Sequence, residues 1–262
     1  MNFTALFLRL MLVIALVLIM GPILTVIILA FSSGATLEFP PPGLSLKWFV
    51  AFFALEEMRN AFLLSLGLAL ASAFGSCLLG VMAALYSVRR GGMLGAIMQG
   101  LAMAPLVFPA LILGLALLIL YRTIGVPVLP GLFIAHVVVC LPYAFRSVLT
   151  SLQSFDMHLE EAAAALGAPP LRTFYLITLP IIWPGLLSGF IFAFVISFGE
   201  LNTALFLTGP GITTLPIEIF SYLQFQGNQL VVAAASALQI LVILVLLFIA
   251  ERLIGSRGIV GR

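Results

Sequence analysis

Residues 161–180 read EAAAALGAPPLRTFYLITLP, a run in which alanines give way to a glycine and two prolines before the chain becomes apolar. Just upstream, Asp156 is a good N-cap. Glu160 and Glu161 follow it at the start of the predicted helix, where a helix dipole favours acidic side chains. The alanines that follow are strong helix formers. The stretch therefore predicts a short helix over about 157–166.

A turn and a second helix are predicted directly after it. Gly167 can adopt the left-handed backbone conformation that ends a helix, and Pro169 or Pro170 suits the first turn of the next one. This second helix would run toward Pro180. Residues 150–179 are thus predicted to form a polar helix-turn-helix between two apolar blocks.

Outside this loop the composition is that of a membrane protein. The 262 residues are 63% hydrophobic and 8% charged, with a mean hydropathy of +1.30, whereas soluble domains carry about 25% charged residues. The apolar residues are collected in blocks that suit helical spans, which need about 20 residues each. Six such blocks are predicted spans: 10–31, 61–86, 94–120, 131–149, 180–198 and 230–250. We therefore expect an all-α integral membrane protein that forms a single domain over 1–262.

Several predicted spans contain prolines. Pro105 and Pro109 lie within 94–120, and Pro142 lies within 131–149. Membrane helices tolerate internal prolines when neighbouring helices or water satisfy the freed carbonyls. We therefore expect the spans to pack against one another as a bundle.

The basic residues predict the orientation, because cytoplasmic ends of spans carry the excess of lysine and arginine. With a cytoplasmic N-terminus, the inside collects Arg9, Arg89, Arg90, Arg146, Arg172, Arg252, Arg257 and Arg262, and the outside holds Lys47, Arg59 and Arg122. Both termini and the loop 150–179 are thus predicted to be cytoplasmic.

The segments 32–60 and 201–229 would then face outward, and both contain turn-forming glycines and prolines. A short helix is expected over about 216–226.

The polar loop carries a motif with fixed spacing, E-A-A-x3-G-x9-I-x-L-P. Its fixed positions are Glu161, Ala162, Ala163, Gly167, Ile177, Leu179 and Pro180. The motif resembles the EAA motif of permease subunits in binding-protein-dependent ABC importers, which keep it in the cytoplasmic loop before the penultimate span. The resemblance covers the whole chain and implies a type I permease fold that forms half of a solute pathway.

In that family the loop docks on an ATPase subunit and transmits its closure to the membrane spans. The resemblance therefore implies ATPase-coupling roles for Glu160, Glu161, Ala162, Ala163, Gly167 and Pro180. It also implies two ATPase subunits that hold ATP and Mg, a second permease subunit in a heteromeric pore, and a periplasmic or extracellular substrate-binding protein. Transport would proceed by alternating access in a bacterial inner membrane.

The chain itself is not expected to be an enzyme. A phosphate-binding P-loop needs a lysine after its second glycine, and the only lysine, Lys47, follows Leu46 in a predicted outer segment. ATP hydrolysis is therefore assigned to the partner subunits, and no cofactor or metal is expected on this chain.

The clearest indication of the solute is Glu200, at the outer end of the fifth predicted span. An acid at membrane depth is costly and is often functional. Asn202 and Thr203 nearby are candidate pathway residues or, equally, caps of the span end. The surrounding residues resemble the C-type permease branch of spermidine and putrescine importers, although Gly199 stands where members with two adjacent acids have the first of them. The resemblance implies a polyamine or related amine. Opines, aminobutyrate-like compounds and aminophosphonates are alternatives within the same branch.

Other protein classes fit the sequence less well. An ion-driven secondary transporter should show internal repeats and paired intramembrane charges, and an intramembrane enzyme should show a metal motif or a catalytic pair. The lone His136 is predicted to make a hydrogen bond between helices. The net charge of +2 gives no footprint for nucleic acid.

Overall fold

The computed structural model describes residues 3–225 and 227–258, and these residues are mainly helical. Arg262, which counts toward the predicted orientation, lies outside the described residues, as does Gln226. The helices, in chain order, are α1 Phe3–Ala30, α2 Lys47–Ala54, α3 Glu56–Arg90, α4 Gly92–Met103, α5 Ala110–Ile124, α6 Val128–Gln153, α7 His158–Ala165, α8 Pro170–Thr173, α9 Leu179–Phe198, α10 Ala204–Leu207, α11 Leu215–Phe225 and α12 Gln229–Gly258. The prediction of an all-α membrane protein is confirmed.

Among the described residues, the stretches long and apolar enough to cross a bilayer without a sharp bend are Thr4–Ala30, Glu56–Arg90, Val128–Gln153, Pro170–Phe198 and Gln229–Leu253. They correspond to five of the six predicted spans, and the first ends at Ala30, one residue before the predicted block 10–31 does. Most are longer than the predicted blocks because the helices continue through polar residues at their ends, as α3 does through Arg89 and Arg90.

The predicted span over 94–120 is not one straight helix. The chain forms α4, a 3-10 turn over Ala104–Leu106 and then α5, and the two helical parts meet at 99°. Pro105 and Pro109 explain the break, because proline has no N–H to donate and its ring clashes with the carbonyl four residues earlier. Phe108, which precedes a proline, is also disfavoured in helical conformation. The third predicted span is therefore a bent pair of helices.

The predicted hairpin in the polar loop also differs in its second arm. Instead of ending near Pro180, α8 continues through a π-helix over Phe174–Thr178 directly into α9. Pro180 lacks the N–H that an α-helix would donate to Leu176, and the Leu179 N–H bonds to Phe174 O, five residues back. The fifth span is thereby extended to the turn that ends α7.

Contacts divide the chain into two compact units. The larger unit lies within Ala61–Ile217 and Val245–Arg262, and its centre is the antiparallel pair α6 and α9. Buried side chains from α3, α4, α6 and α9 form one core, which contains Ala84, Ala102, Phe145, Val148 and Ile182. The predicted single domain over 1–262 stays a prediction.

Small residues let α6 and α9 approach closely. A Cβ on Gly185 would lie 2.9 Å from Ser147 O, and a Cβ on Gly189 would lie 3.2 Å from the Ala144 Cα. Ser147 Oγ donates to Gly185 O at 2.8 Å. Close backbone approach with side chain to carbonyl hydrogen bonds is a usual way to join helices in lipid.

Further along the same interface, His136 Nδ1 lies 2.8 Å from Ser197 Oγ. His136 is on α6 and Ser197 is on α9, so the prediction of a hydrogen bond between helices is confirmed.

The smaller unit lies within Met1–Asn60 and Glu218–Leu244. Its core joins the end of α1 to the start of α12 through Leu29, Ala30, Leu230, Ala233 and Ala237. The predicted outer segment 32–60 contains α2 and the start of α3. The expected short helix near 216–226 is confirmed as α11, whose Glu218 has its carboxyl pKa raised by burial and by the nearby Glu57 charge.

Candidate functional site

The polar loop folds largely as its sequence predicts, although the N-cap of its first helix is Met157 and not the predicted Asp156. The predicted helix over 157–166 is confirmed as α7, one residue shorter at each end. Asp156 Oδ1 accepts the His158 N–H at 3.0 Å, which satisfies one of the amides that a helix start leaves unpaired. Exposed His158 has its pKa raised above the usual value by hydrogen bonding to Glu161, with Nδ1 3.1 Å from Glu161 Oε2.

Gly167 ends α7 in the predicted left-handed conformation, with φ of 80°. The Ala168 N–H bonds to Ala163 O at 3.0 Å and the Gly167 N–H bonds to Ala164 O at 2.9 Å. These two bonds form a Schellman motif, which satisfies carbonyls at the end of a helix. Pro170 then occupies the first turn of α8, as predicted for one of the two prolines.

The two faces of α7 differ. Ala163 is buried and the Glu160 side chain is 17% exposed, whereas Ala162 is exposed and the Glu161 side chain is 73% exposed. Leu166, at the end of the helix, is 89% exposed. Leu166 was not among the residues predicted from the sequence, although a leucine beside the helix-ending glycine in a polar loop is a detectable signal.

Glu160 joins three parts of the chain. Its Oε1 lies 2.8 Å from Arg89 Nη2, at the end of α3. The same oxygen accepts a hydrogen bond from Thr178 Oγ1, at the end of the π-helix. A cavity of about 350 Å³ lies beside this network and includes Glu161, Pro170 and Thr173 in its lining.

Pro180, the last motif residue, lies in the first turn of α9 and is exposed. The structure thus brings Glu160, Glu161, Ala162, Ala163 and Gly167 together on α7 and its turn. Pro180 instead belongs to the span that follows.

Glu200 lies just after α9 and lines a cavity of about 290 Å³. Its Oε1 accepts the Thr203 N–H at 2.7 Å. The cavity is otherwise mostly apolar and is formed by the bend between α4 and α5 together with α6 and α9. Its other lining residues are Pro105, Leu106, Phe108, Ala110, Leu113, Val139, Tyr143, Val195, Ile196 and Gly199.

The two candidate pathway residues beside Glu200, Asn202 and Thr203, lie in different environments. Thr203 is fully buried and its hydroxyl donates to Ala110 O at 3.3 Å, at the start of α5. Asn202 is exposed in a turn. The structure therefore gives Thr203 a local role in holding the bent span, and solute contact by either residue stays a prediction.

A larger cavity, of about 480 Å³, lies between α6 and α9 nearer the polar loop and is lined by Arg146 and several hydroxyl side chains. The hydroxyls of Thr150 and Ser188 donate to helix carbonyls at 2.9 and 2.8 Å. Arg146 is exposed there, and its predicted role as an anchor at the cytoplasmic end of the span stays a prediction.

Comparison with known proteins decides the family. Residues 76–257 match the sequence profile of the binding-protein-dependent transport system inner membrane components. The chain belongs to this family. Members of this description are permease subunits of ABC importers, so the resemblance carried by the EAA motif is confirmed. Membership decides against an ion-driven secondary transporter.

Two curated permeases illustrate the similarity. The putrescine transport system permease protein PotI of Escherichia coli K12 is 37% identical over 226 residues, which cover 82% of this chain and 79% of PotI. The spermidine/putrescine transport system permease protein PotC of the same strain is 28% identical over 236 residues, which cover 89% of this chain and 88% of PotC.

A solved structure shares the fold of this permease. It is a bacterial alginate ABC transporter in complex with an alginate pentasaccharide-bound periplasmic protein. One of its chains matches with a TM-score of 0.67 at 18% identity, covering 98% of this chain and 95% of that chain. The permease therefore has the type I ABC importer fold and is a multi-pass membrane protein.

Proposed function

We propose that this permease forms half of the pathway of a bacterial inner-membrane importer for small cationic amines of the polyamine type. The observation that carries the proposal is the Glu200 carboxylate in the cavity at the bent span. An opine, aminobutyrate-like or aminophosphonate solute is the alternative, and it would bring a negative group to the same carboxylate.

The chemistry of the cavity suits an extended diamine. A carboxylate has about four lone-pair sites, so Glu200 retains acceptor capacity after its oxygen bonds the Thr203 N–H. A hydrogen bond from an ammonium group to a carboxylate is charge-assisted and stronger than a neutral one. The apolar side chains around it, such as Leu106 and Val139, would contact the methylene groups between the amines.

The curated relatives support the same solute class. PotI is a putrescine permease and PotC is a spermidine/putrescine permease, and both cover most of this chain. Their identities of 37% and 28% support the assignment of a solute class rather than one compound.

The energy for import would come from two partner ATPase subunits that bind ATP and Mg, with this chain as a non-catalytic pore subunit. The exposed face of α7 would dock on an ATPase, a second and different permease would complete the pathway, and a substrate-binding protein would deliver the solute from the periplasmic side. Closure of the ATPases would move α7, and the spans would open outward.

Glu200→Gln tests the solute assignment. Glutamine keeps an oxygen that accepts the Thr203 N–H, so the fold should be unchanged, but the negative charge is lost. We expect the rate of putrescine uptake into proteoliposomes to fall about tenfold or more, because a hydrogen bond to a charged group is worth about 1.5–3 kcal/mol. The measurement uses the complex with its ATPase, second permease and binding protein.

Glu38→Gln is the matched control. Glu38 is an exposed acid in the predicted outer segment, and its variant should transport like the wild type. If only anionic or zwitterionic solutes were taken up, and Glu200→Gln had no effect on their uptake, the polyamine assignment would be contradicted. The assignment to the importer family would be unaffected.

Leu166→Asp tests the docking face. Burial of an exposed leucine in a partner groove contributes about 2 kcal/mol, so we expect the ATPase subunit to bind the permease about 30-fold more weakly or worse. Binding is measured by titrating purified ATPase onto permease in nanodiscs. Leu171→Asp, at a 68% exposed leucine on α8, is the comparison, and an equal loss in both variants would show that any apolar residue of the loop suffices.

A further inference from the structure

The two glutamates at the start of α7 have different surroundings. The Glu161 side chain is 73% exposed, and its contact within the loop is the exposed His158, with Nδ1 3.1 Å from Oε2. The Glu160 side chain is 17% exposed and bonds Arg89 and Thr178. One adjacent pair of identical side chains is therefore divided between an outward and an inward face.

The partners of Glu160 belong to two membrane spans. Arg89 is the penultimate residue of α3, and its side chain is 43% exposed. Thr178 is fully buried and ends the π-helix that leads into α9. A single carboxylate oxygen thus connects α7 to the ends of the second and fifth predicted spans.

The π-helix makes this connection point distinctive. Its five residues, Phe174–Thr178, interrupt the α-helical hydrogen bonding directly before α9, whose second residue is Pro180. Short π-helical segments within α-helices are frequent at functional positions. A force on Thr178 therefore acts where the hydrogen-bond register of the span already changes.

We propose that Glu160 is a positioning residue that transmits the displacement of α7 to α3 and α9, while Glu161 alone of the two docks on the ATPase. This inference rests on the proposed function, since it assumes an ATPase partner at α7. Without Glu160, α7 would lose its described side-chain hydrogen bonds to α3 and to the π-helix, and it would keep its covalent ends and the buried Ala163. It would then rotate about the Gly167 turn, and α3 and α9 would not follow its displacement.

The test compares Glu160→Gln with Glu161→Gln in the assembled transporter. Amide hydrogen exchange is measured with and without ATP and vanadate. This measurement needs no transported solute. In the wild type we expect ATP to change amide exchange in both α7 and Phe174–Thr178. In Glu160→Gln the change should be confined to α7, while ATPase affinity stays within about twofold, because the docking face is intact. Glu161→Gln should instead weaken ATPase binding about fivefold or more, as expected for a lost charge-assisted contact.

A transport measurement and a rescue complete the test. ATP hydrolysed per putrescine imported should rise about fivefold or more in Glu160→Gln. The double variant Arg89→Glu/Glu160→Arg, which exchanges the two charges, should bring this ratio most of the way back to the wild-type value, since the coupling energy of a pair appears only when both partners change. The Thr178 hydroxyl can accept from the introduced arginine.

Equal loss of ATPase binding in Glu160→Gln and Glu161→Gln would overturn the inference, and so would wild-type exchange behaviour in Glu160→Gln or a charge exchange no better than the single variants. Absence of putrescine uptake in the wild type, with the expected exchange pattern, would instead reject the proposed solute and support the role of Glu160.

Discussion

Gly185→Leu is expected to abolish stable folding of the permease. A Cβ at this position would overlap Ser151 Oγ and would lie 2.7 Å from Ser151 Cβ and 2.9 Å from Ser147 O. The hydroxyl can rotate away, but the Cβ and the carbonyl are fixed to the backbone of α6. The two helices would have to separate, at a cost of about 3 kcal/mol or more for this degree of overpacking. The measurement is the yield of monodisperse protein after detergent extraction, together with its thermal midpoint.

Gly67→Leu is the matched control for this variant. Gly67 also lies in a membrane helix, α3, but a Cβ there meets nothing within 4 Å. We expect that variant to match the wild type in yield, since leucine also has a higher helix propensity than glycine. Gly185→Ala with Ser151→Gly should recover part of the yield, because it removes two of the three close atoms. Normal yield of Gly185→Leu would show that α6 and α9 do not approach as closely as described.

Gly167→Val is expected to uncouple ATP hydrolysis from import while leaving membrane insertion intact. Gly167 has φ of 80°, and a Cβ there meets nothing within 4 Å, so the cost is conformational rather than steric contact with neighbours. The left-handed conformation costs an L residue about 1–2 kcal/mol, and more for a β-branched side chain. The Schellman bonds would be lost and α7 would change its angle to α8. We expect putrescine import per ATP to fall about tenfold, because a free-energy cost of about 1.4 kcal/mol corresponds to a factor of ten.

Gly167→Asn tests whether the loss of coupling comes from strain in the left-handed conformation or from the absence of glycine itself. Asparagine visits the left-handed region more readily than other side chains, so its variant should retain most of the coupling. Membrane insertion is followed by the yield of folded protein, and coupling by ATP hydrolysed per solute imported. Normal import by the valine variant would refute the transmission role of the loop.

The polar loop was predictable because its structure is local. Asp156 bonds an amide two residues away, and Gly167 closes bonds to carbonyls of the same helix. Such features depend on backbone conformations and side-chain lengths that are readable from neighbouring residues. The motif spacing then indicated the family, which the match over residues 76–257 confirmed.

The cavity at Glu200 was not predictable to the same degree. Glu200 was recognisable as an acid at a span end, but its surroundings depend on the bend at Pro105 and Pro109 and on Tyr143 from α6. Prolines in membrane helices are often tolerated without a break. Whether they break a span depends on whether other parts of the protein satisfy the freed carbonyls, and that is a tertiary property.

The sequence by itself determined the solvent, the helical class, the spans apart from the bent one, and the loop motif with its turn. These follow from hydropathy, from the need to satisfy backbone hydrogen bonds in lipid and from local capping. Only the tertiary structure decided that Glu160 faces inward and Glu161 outward, because identical adjacent side chains differ only in what packs against them. It also decided how closely α6 and α9 approach at Gly185, since a glycine in a helix permits contact but does not specify which neighbour will make it.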